Sequence, residues 1–235
     1  MKTYDIFLFD ADDTLYDFNK AEKQAIQATF EAFGIAYSDD YLPRYRAHNL
    51  QLWADYSLGA VTKADLQTLR FERLFAELSV GTSCDIPALN ARYQLEIGKA
   101  AFLVDGALEI CRAIASDGKH IYIATNGTLA TQESRAVHSP LRHYVSGFFV
   151  SEEIGFQKPE PGYFDCVFSC LPSIHKEKIL IIGDSLTHDV AGGHTAGIDS
   201  CWLNTHGKKN DTEFVPTYEI RRLSELAAFV TMQTE

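Results

Sequence analysis

Basic charge is scarce in this sequence: 21 Lys and Arg stand against 32 Asp and Glu, a formal net charge of −11. Without a cationic excess to replace condensed counterions, a nucleic-acid polymer is not an expected partner. No run approaches the roughly 18 apolar residues of a membrane span, and the N-terminus has neither the basic start nor the apolar stretch of a secretion signal. Cys84, Cys111, Cys166, Cys170 and Cys201 form no CxxC pair, and an odd number suits a reducing compartment, so the chain reads as cytoplasmic with no membrane partner. The eight histidines form no ligand cluster, which leaves zinc without support. Internal repeats, low-complexity tracts and long Pro/Gly/Ser linkers are missing as well. What remains is 235 residues, 46% of them hydrophobic, enough for one large domain or for a core with a smaller insertion.

The apolar run Ile6-Phe7-Leu8-Phe9 stops abruptly at Asp10-Ala11-Asp12-Asp13-Thr14. So short a run fits a buried strand of a parallel sheet, and ligands of such sheets bind beyond the carboxyl ends of the strands. The plainer reading of the acids is a turn, since Asp and Thr are common there. From Asn19 to Phe102 the pattern changes to helical spacing, in four consecutive segments. The first carries Ala25, Ile26, Phe30 and Phe33 and ends at Gly34; the second has Pro43 near its first turn; the third opens with a capping box at Thr62 and Asp65; the fourth starts near Asp85-Ile86-Pro87. Four helices with no strand between them read as a bundle. After Val104-Asp105-Gly106, strand and helix alternate, with strands expected at Ile121 to Ala124, Phe148 to Val150, Ile179 to Ile182 and Cys201 to Leu203, then a short extended piece at Thr217 to Ile220 and a last helix from Ser224. The fold class is therefore α/β, a Rossmann-like parallel sheet from residues 1–16 and 104–235 with an inserted helical cap over residues 17–103.

The strand ends supply Asp10 and Asp12, Thr125 with Asn126, and Asp184 with Asp189, while a loop supplies Lys158. These are the parts of a phosphoryl-transfer site: a nucleophile, acids for a divalent metal, a cation, and donors for phosphate oxygens. Three carboxylates together resist ionising without a metal, and oxygen ligands favour Mg²⁺.

Together these residues resemble the four motifs of the haloacid dehalogenase superfamily of phosphatases. They stand here, in order, as Asp10-Ala11-Asp12-Asp13-Thr14, Thr125-Asn126-Gly127, Lys158-Pro159, and Gly183-Asp184-Ser185 with Asp189. The resemblance implies that Asp10 attacks phosphorus to form an aspartyl-phosphate, while Asp12 protonates the leaving alkoxide and then activates water. It also implies Mg²⁺ held by the Asp10 carboxylate, the Asp12 carbonyl and Asp184. Thr125, Asn126 and Lys158 would hold the phosphate, with Asp189 near the metal shell or orienting Lys158. Asp12 sets the reaction type: halide leaves without a proton, and dehalogenase members lack an acid here, whereas an ester oxygen gains about 10²- to 10⁴-fold from one.

Asp13 stands where many members have Gly, and an acid there resembles a narrower branch, the pyrimidine 5'-nucleotidases. That likeness extends through Asn49, Leu52-Trp53, Asp55-Tyr56, Gly59-Ala60, Thr62 and Arg70-Phe71-Glu72, then Ser151 to Gly155 and Cys201 to Asn204. It implies a nucleoside monophosphate as the small-molecule partner. The alternatives are a sugar-phosphate or phosphoglycolate phosphatase, a phosphomutase, or a non-catalytic phosphate-binding module, the last disfavoured because Asp10, Asp12, Lys158 and Asp184 are all present. Asn49, Trp53 and Arg70 are the cap candidates for touching substrate, with His48 beside them. Trp53 and Tyr56 at helical spacing read first as bundle core and second as a base-stacking pair. Gly59-Ala60 reads equally as an active-site loop or a plain turn. Gly192-Gly193 reads as close packing, and His188 as a helix-surface residue.

Overall fold

The computed structural model describes residues 2–79, 84–172 and 175–230. Six parallel strands, β1 Ile6–Phe9, β2 His120–Thr125, β3 Gly147–Val150, β4 Ile179–Gly183, β5 Asp199–Leu203 and β6 Tyr218–Ile220, form one sheet in the order β3-β2-β1-β4-β5-β6. The all-parallel ladder explains the unbroken apolar runs of the central strands, because β1 and β4 are buried on both faces. Alternation divides them. Phe7 and Phe9 of β1 join Ile121, Ile123, Leu180 and Ile182 in one layer, while Ile6 and Leu8 join Ala124, Phe149, Ile179 and Ile181 in the other.

Four helices, α1 Phe18–Ala32, α2 Tyr41–Ser57, α3 Lys63–Glu77 and α4 Ile86–Lys99, follow β1 in the chain. The remainder alternates with the strands: α5 Ala107–Ser116, α6 Leu129–His138, α7 Ser151–Ile154, α8 Pro161–Cys170 and α9 Ala191–Ala196. The helix expected from Ser224 is a 3₁₀ segment, Leu223–Phe229. Two compact units result, residues 1–19 with 101–235, and residues 20–100.

The smaller unit begins and ends its helices where the residue chemistry directs. Gly34 takes φ +67° after α1, Thr62 and Asp65 close a reciprocal capping box on α3, and Asp85 caps α4 through the Ala88 N–H. Its interior is aromatic, with the Tyr45 and Phe71 rings 5.3 Å apart and Phe71 and Tyr93 5.4 Å apart. Trp53 and Tyr56 do not join that core. Both are half-buried, and the Lys63 ammonium lies 4.2 Å from the Trp53 ring centre and 5.1 Å from that of Tyr56, so a cation covers the faces a hydrophobic layer would have used.

In the larger unit Gly192 and Gly193 pack as expected: a Cβ on Gly192 would stand 2.6 Å from Phe164 Cζ, and one on Gly193 would stand 2.9 Å from Ser200 Cβ. His188 is half-buried rather than a surface residue, because a π-helical turn over Leu186–Val190 rotates its ring toward Ser185, 3.1 Å from the hydroxyl. Burial lowers its affinity for a proton. Among the described residues no helix is long and apolar enough to cross a membrane.

Candidate active site

The strand order reverses direction at β1, with β2 on one side and β4 on the other, so the acids after β1 and β4 emerge at the topological switch point. Asp10 begins there, its N–H bonded to the Ile182 carbonyl at 2.8 Å. The chain then folds on itself: Leu15 and Tyr16 donate to the Ala11 carbonyl, and Asp13 donates to that of Tyr16. This turn places Asp13 at φ +57°, a region that favours glycine and that Asp tolerates better than most residues. Asp13 thus occupies a backbone conformation that would suit glycine better.

Lys158 is the hub. Its ammonium is buried and donates to Asp10 Oδ1 at 2.7 Å, to the Ala124 carbonyl at 2.6 Å and to Asp189 Oδ1 at 2.6 Å, filling all its donor sites. Burial works against its charge, but Asp10 and Asp189 outweigh it and hold the ammonium protonated. Asn126 fixes the lysine from behind, accepting from the Lys158 N–H at 2.8 Å and donating to its carbonyl at 2.9 Å. The Asn126 side chain thus ties the end of β2 to the lysine loop.

Asp189 also accepts from the Ser185 N–H at 3.1 Å, so it is tied to the lysine and to its own loop. Gly183 leaves room for this carboxylate, which a side chain at that position would strike. The Asp184 carbonyl is held by the Trp202 indole N–H at 2.9 Å.

Oxygens from Asp10, Asp184 and Asp189 lie within 4.8 Å of one another. One lysine does not balance three carboxylates. Burial drives the Asp10 carboxyl well above the usual range, opposed by Lys158 and reinforced by Asp189 and Asp184, while burial, with Asp189 and Asp13 adding to it, pushes Asp184 up to about 7. Carboxyls raised in this way mark negative charge awaiting a partner, and an all-oxygen donor set fits a hard divalent cation. With Asp189 occupied by Lys158 and Ser185, Asp10 and Asp184 are the side chains best placed to hold it.

Thr125 ends β2 and accepts from the Gly127 N–H at 2.9 Å. A Cβ on Gly127 would stand 3.0 Å from Thr125 Oγ1, 3.0 Å from Gln132 Nε2 and 3.9 Å from Asp12 Oδ2, so a side chain there would close the corner these groups share. Asp12 is a third exposed, and its Oδ1 accepts from Arg135 Nη2 at 2.5 Å. Arg135 and Gln132 had no place in the sequence reading. Their signal was an i, i+3 pair on the helix that follows Thr125-Asn126-Gly127. Beside the acids, a cavity of about 600 Å³ opens on Asp13 and Asp184, walled by Trp202, Asn204, Lys208 and Arg221, all of the larger unit.

The cap candidates all belong to the smaller unit. Arg70 is buried inside the smaller unit, donating to Asn90 at 2.5 Å and to Asn49 at 3.5 Å with its guanidinium 4.6 Å from the Tyr93 ring centre. Asn49 is buried with it. Both serve a polar network within the bundle, while Trp53 lies under Lys63 and His48 bonds Glu77 at 2.7 Å.

A central parallel sheet, a carboxylate cluster at its switch point and a lysine bridging two of the acids define a hydrolase of recognisable kind. Residues 4–197 match the family model described as haloacid dehalogenase-like hydrolase, and the chain belongs to that family. The "Putative HAD-hydrolase YfnB" of Bacillus subtilis is 40% identical over 96% of this chain and 95% of its own length. A crystal structure of YfnB bound to magnesium superposes with a TM-score of 0.88 over 98% of this chain and 100% of that one, at 38% identity. The pyrimidine 5'-nucleotidase PynA of Streptococcus pneumoniae is 36% identical over 95% of this chain and 93% of its own length. The pyrimidine 5'-nucleotidase YjjG of Escherichia coli is 32% identical over 95% and 96%.

Proposed function

We propose that this protein is a Mg²⁺-dependent phosphatase of small phosphate monoesters, acting on pyrimidine nucleoside monophosphates. The observation that carries the reading is the Asp10–Lys158 contact of 2.7 Å, with Asp12 two residues along on a separate support, Arg135. Two neighbouring acids with different partners suit two different jobs. Asp10 attacks phosphorus, the bond from phosphorus to the ester oxygen breaks, and the proton of Asp12 goes to the leaving alkoxide. Asp12, now ionised, takes a proton from water, whose oxygen attacks the phosphoryl group on Asp10 and frees both carboxylate and inorganic phosphate. Lys158, fixed by Asp189 and Asn126, keeps a positive charge beside Asp10, and Thr125 supplies a hydroxyl at the same corner. Asp10, the Asp12 carbonyl and Asp184 would hold Mg²⁺, which would supply charge neutralisation for the phosphoryl oxygens.

The two nucleotidase relatives, each matching over nearly the whole chain, support a nucleotide as the ester. The cavity of about 600 Å³ is in the range of small-molecule sites. The test is phosphate release from UMP, dUMP, dTMP and a panel of sugar phosphates with Mg²⁺ and with EDTA. The expected result is Mg²⁺-dependent turnover with the pyrimidine nucleotides ahead. Sugar phosphates ahead by tenfold in kcat/KM would overturn the nucleotide assignment, and no release from any ester would overturn the phosphatase assignment.

A further inference from the structure

We propose that Arg135 is a positioning residue for the proton-transfer step, and that by occupying Asp12 Oδ1 it makes Oδ2 the oxygen that carries the proton. The inference rests on the proposed role of Asp12 and adds a residue that the four motifs do not contain. Arg135 is wholly buried, yet the acid it meets is a third exposed. A buried cation is therefore not here to neutralise a buried charge, and the fold gains little from placing it there.

Its remaining contacts point the same way. The guanidinium lies 4.3 Å from the ring centre of buried Tyr16, and Nη2 reaches Asp12 Oδ1 at 2.5 Å. Nε and Nη1 have no hydrogen-bond partner among the described residues, and neither amide atom of Gln132, one turn earlier on α6, has one. A guanidinium acting only as a strut would have its donors satisfied by the fold. This one is held by a ring and by a single acid.

The consequence is geometric. With Oδ1 occupied by a donor, Oδ2 is left on the side of Gly127 and Thr125, where a Cβ on Gly127 would approach it to 3.9 Å. The proton leaves Oδ2 for the alkoxide and returns to Oδ2 from water, while Arg135 keeps its hold on Oδ1. A carboxylate released from the guanidinium would turn about its side-chain torsions and present either oxygen in a range of directions, a loss of orientation that can cost about 10²-fold in rate.

The test compares an alkyl phosphate turned over by the native enzyme, UMP first, with p-nitrophenyl phosphate, whose leaving group needs no proton. Arg135→Met is expected to lower kcat on the alkyl ester by about 30-fold or more and on the aryl ester by less than about threefold. Arg135→Lys keeps the buried charge and the fold but not the planar fork, and is expected to fall between native and Met with the same substrate bias. In the Asp12→Asn background, Arg135→Met should slow the alkyl ester no further. Equal losses on both substrates in the Met and Lys variants, or additive losses in the double variant, would overturn the inference while leaving the phosphatase reading intact. An Asp12→Asn enzyme that slows both esters equally would instead overturn the role of Asp12 and the inference with it.

Discussion

Stripping divalent metal and raising the pH should weaken this fold, and replacing Asp184 by Asn should remove much of that weakening. Burial, with Asp189 and Asp13 nearby, holds the Asp184 carboxyl at about 7 in the folded chain against an ordinary value of 3.8. Between those values the folded state binds more protons than the unfolded state, so stability falls as pH rises and stops falling above the folded value. Each pH unit in that window is worth about 1.4 kcal/mol, so going from about pH 5.5 to about pH 8 costs about 2 kcal/mol. For a chain of this length that is a drop in Tm of about 4–8 °C. His188 works in the opposite direction: its burial depresses the pKa, so its contribution is restored as pH rises through its ordinary value. The informative quantity is therefore the difference between the native protein and Asp184→Asn, each melted in EDTA across the pH range. Saturating Mg²⁺ should raise the native Tm most at the alkaline end, where the carboxylates are ionised. Identical pH slopes for native and Asp184→Asn in EDTA would refute the claim that uncompensated charge at this cluster weighs on the fold.

Two further outcomes follow from the backbone and the packing. Asp13 sits at φ +57°, so Asp13→Gly should stabilise the protein by about 1 kcal/mol in urea unfolding, and a net loss would show that its side-chain bond from Asn19 outweighs the backbone cost. At Gly192 the Cβ of an alanine would stand 2.6 Å from buried Phe164, so Gly192→Ala should cost about 1–3 kcal/mol in the same assay, and an unchanged midpoint would contradict the close packing of α8 on α9.

The sheet was legible because each strand announces itself twice, by an apolar run and by the polar residues where it ends. Ile6–Phe9 and Ile179–Gly183 lie far apart in sequence, yet both end in acids, and pairing them side by side in a parallel sheet gathers Asp10 and Asp184. The supports of the site were less visible. Asn126 follows a strand like a phosphate-binding residue, but its amide clasps the Lys158 backbone 32 residues on, a pairing that no local pattern encodes. Arg135 looks like an ordinary polar residue of an amphipathic helix, and only the packing of α6 shows that it lies buried under Asp12. In the helical unit, spacing identified the helices but not which apolar residues a lysine would cover. Trp53 and Tyr56 carry the periodicity of a core and sit under Lys63 instead. Arg70 and Asn49 matched a resemblance, and no spacing foretold that Arg70 would donate to Asn49 and Asn90 and lie over the Tyr93 ring.

The proposed chemistry depends on a covalent bond between Asp10 and phosphorus, and that bond can be sought directly. The native protein is mixed with Mg²⁺ and UMP, quenched in acid within the turnover time, digested and weighed by mass spectrometry. The prediction is a phosphoryl group on the peptide that carries Asp10, absent in EDTA and absent with its turnover in Asp10→Asn. Phosphate release by the Asp10→Asn protein at the native rate would contradict the account.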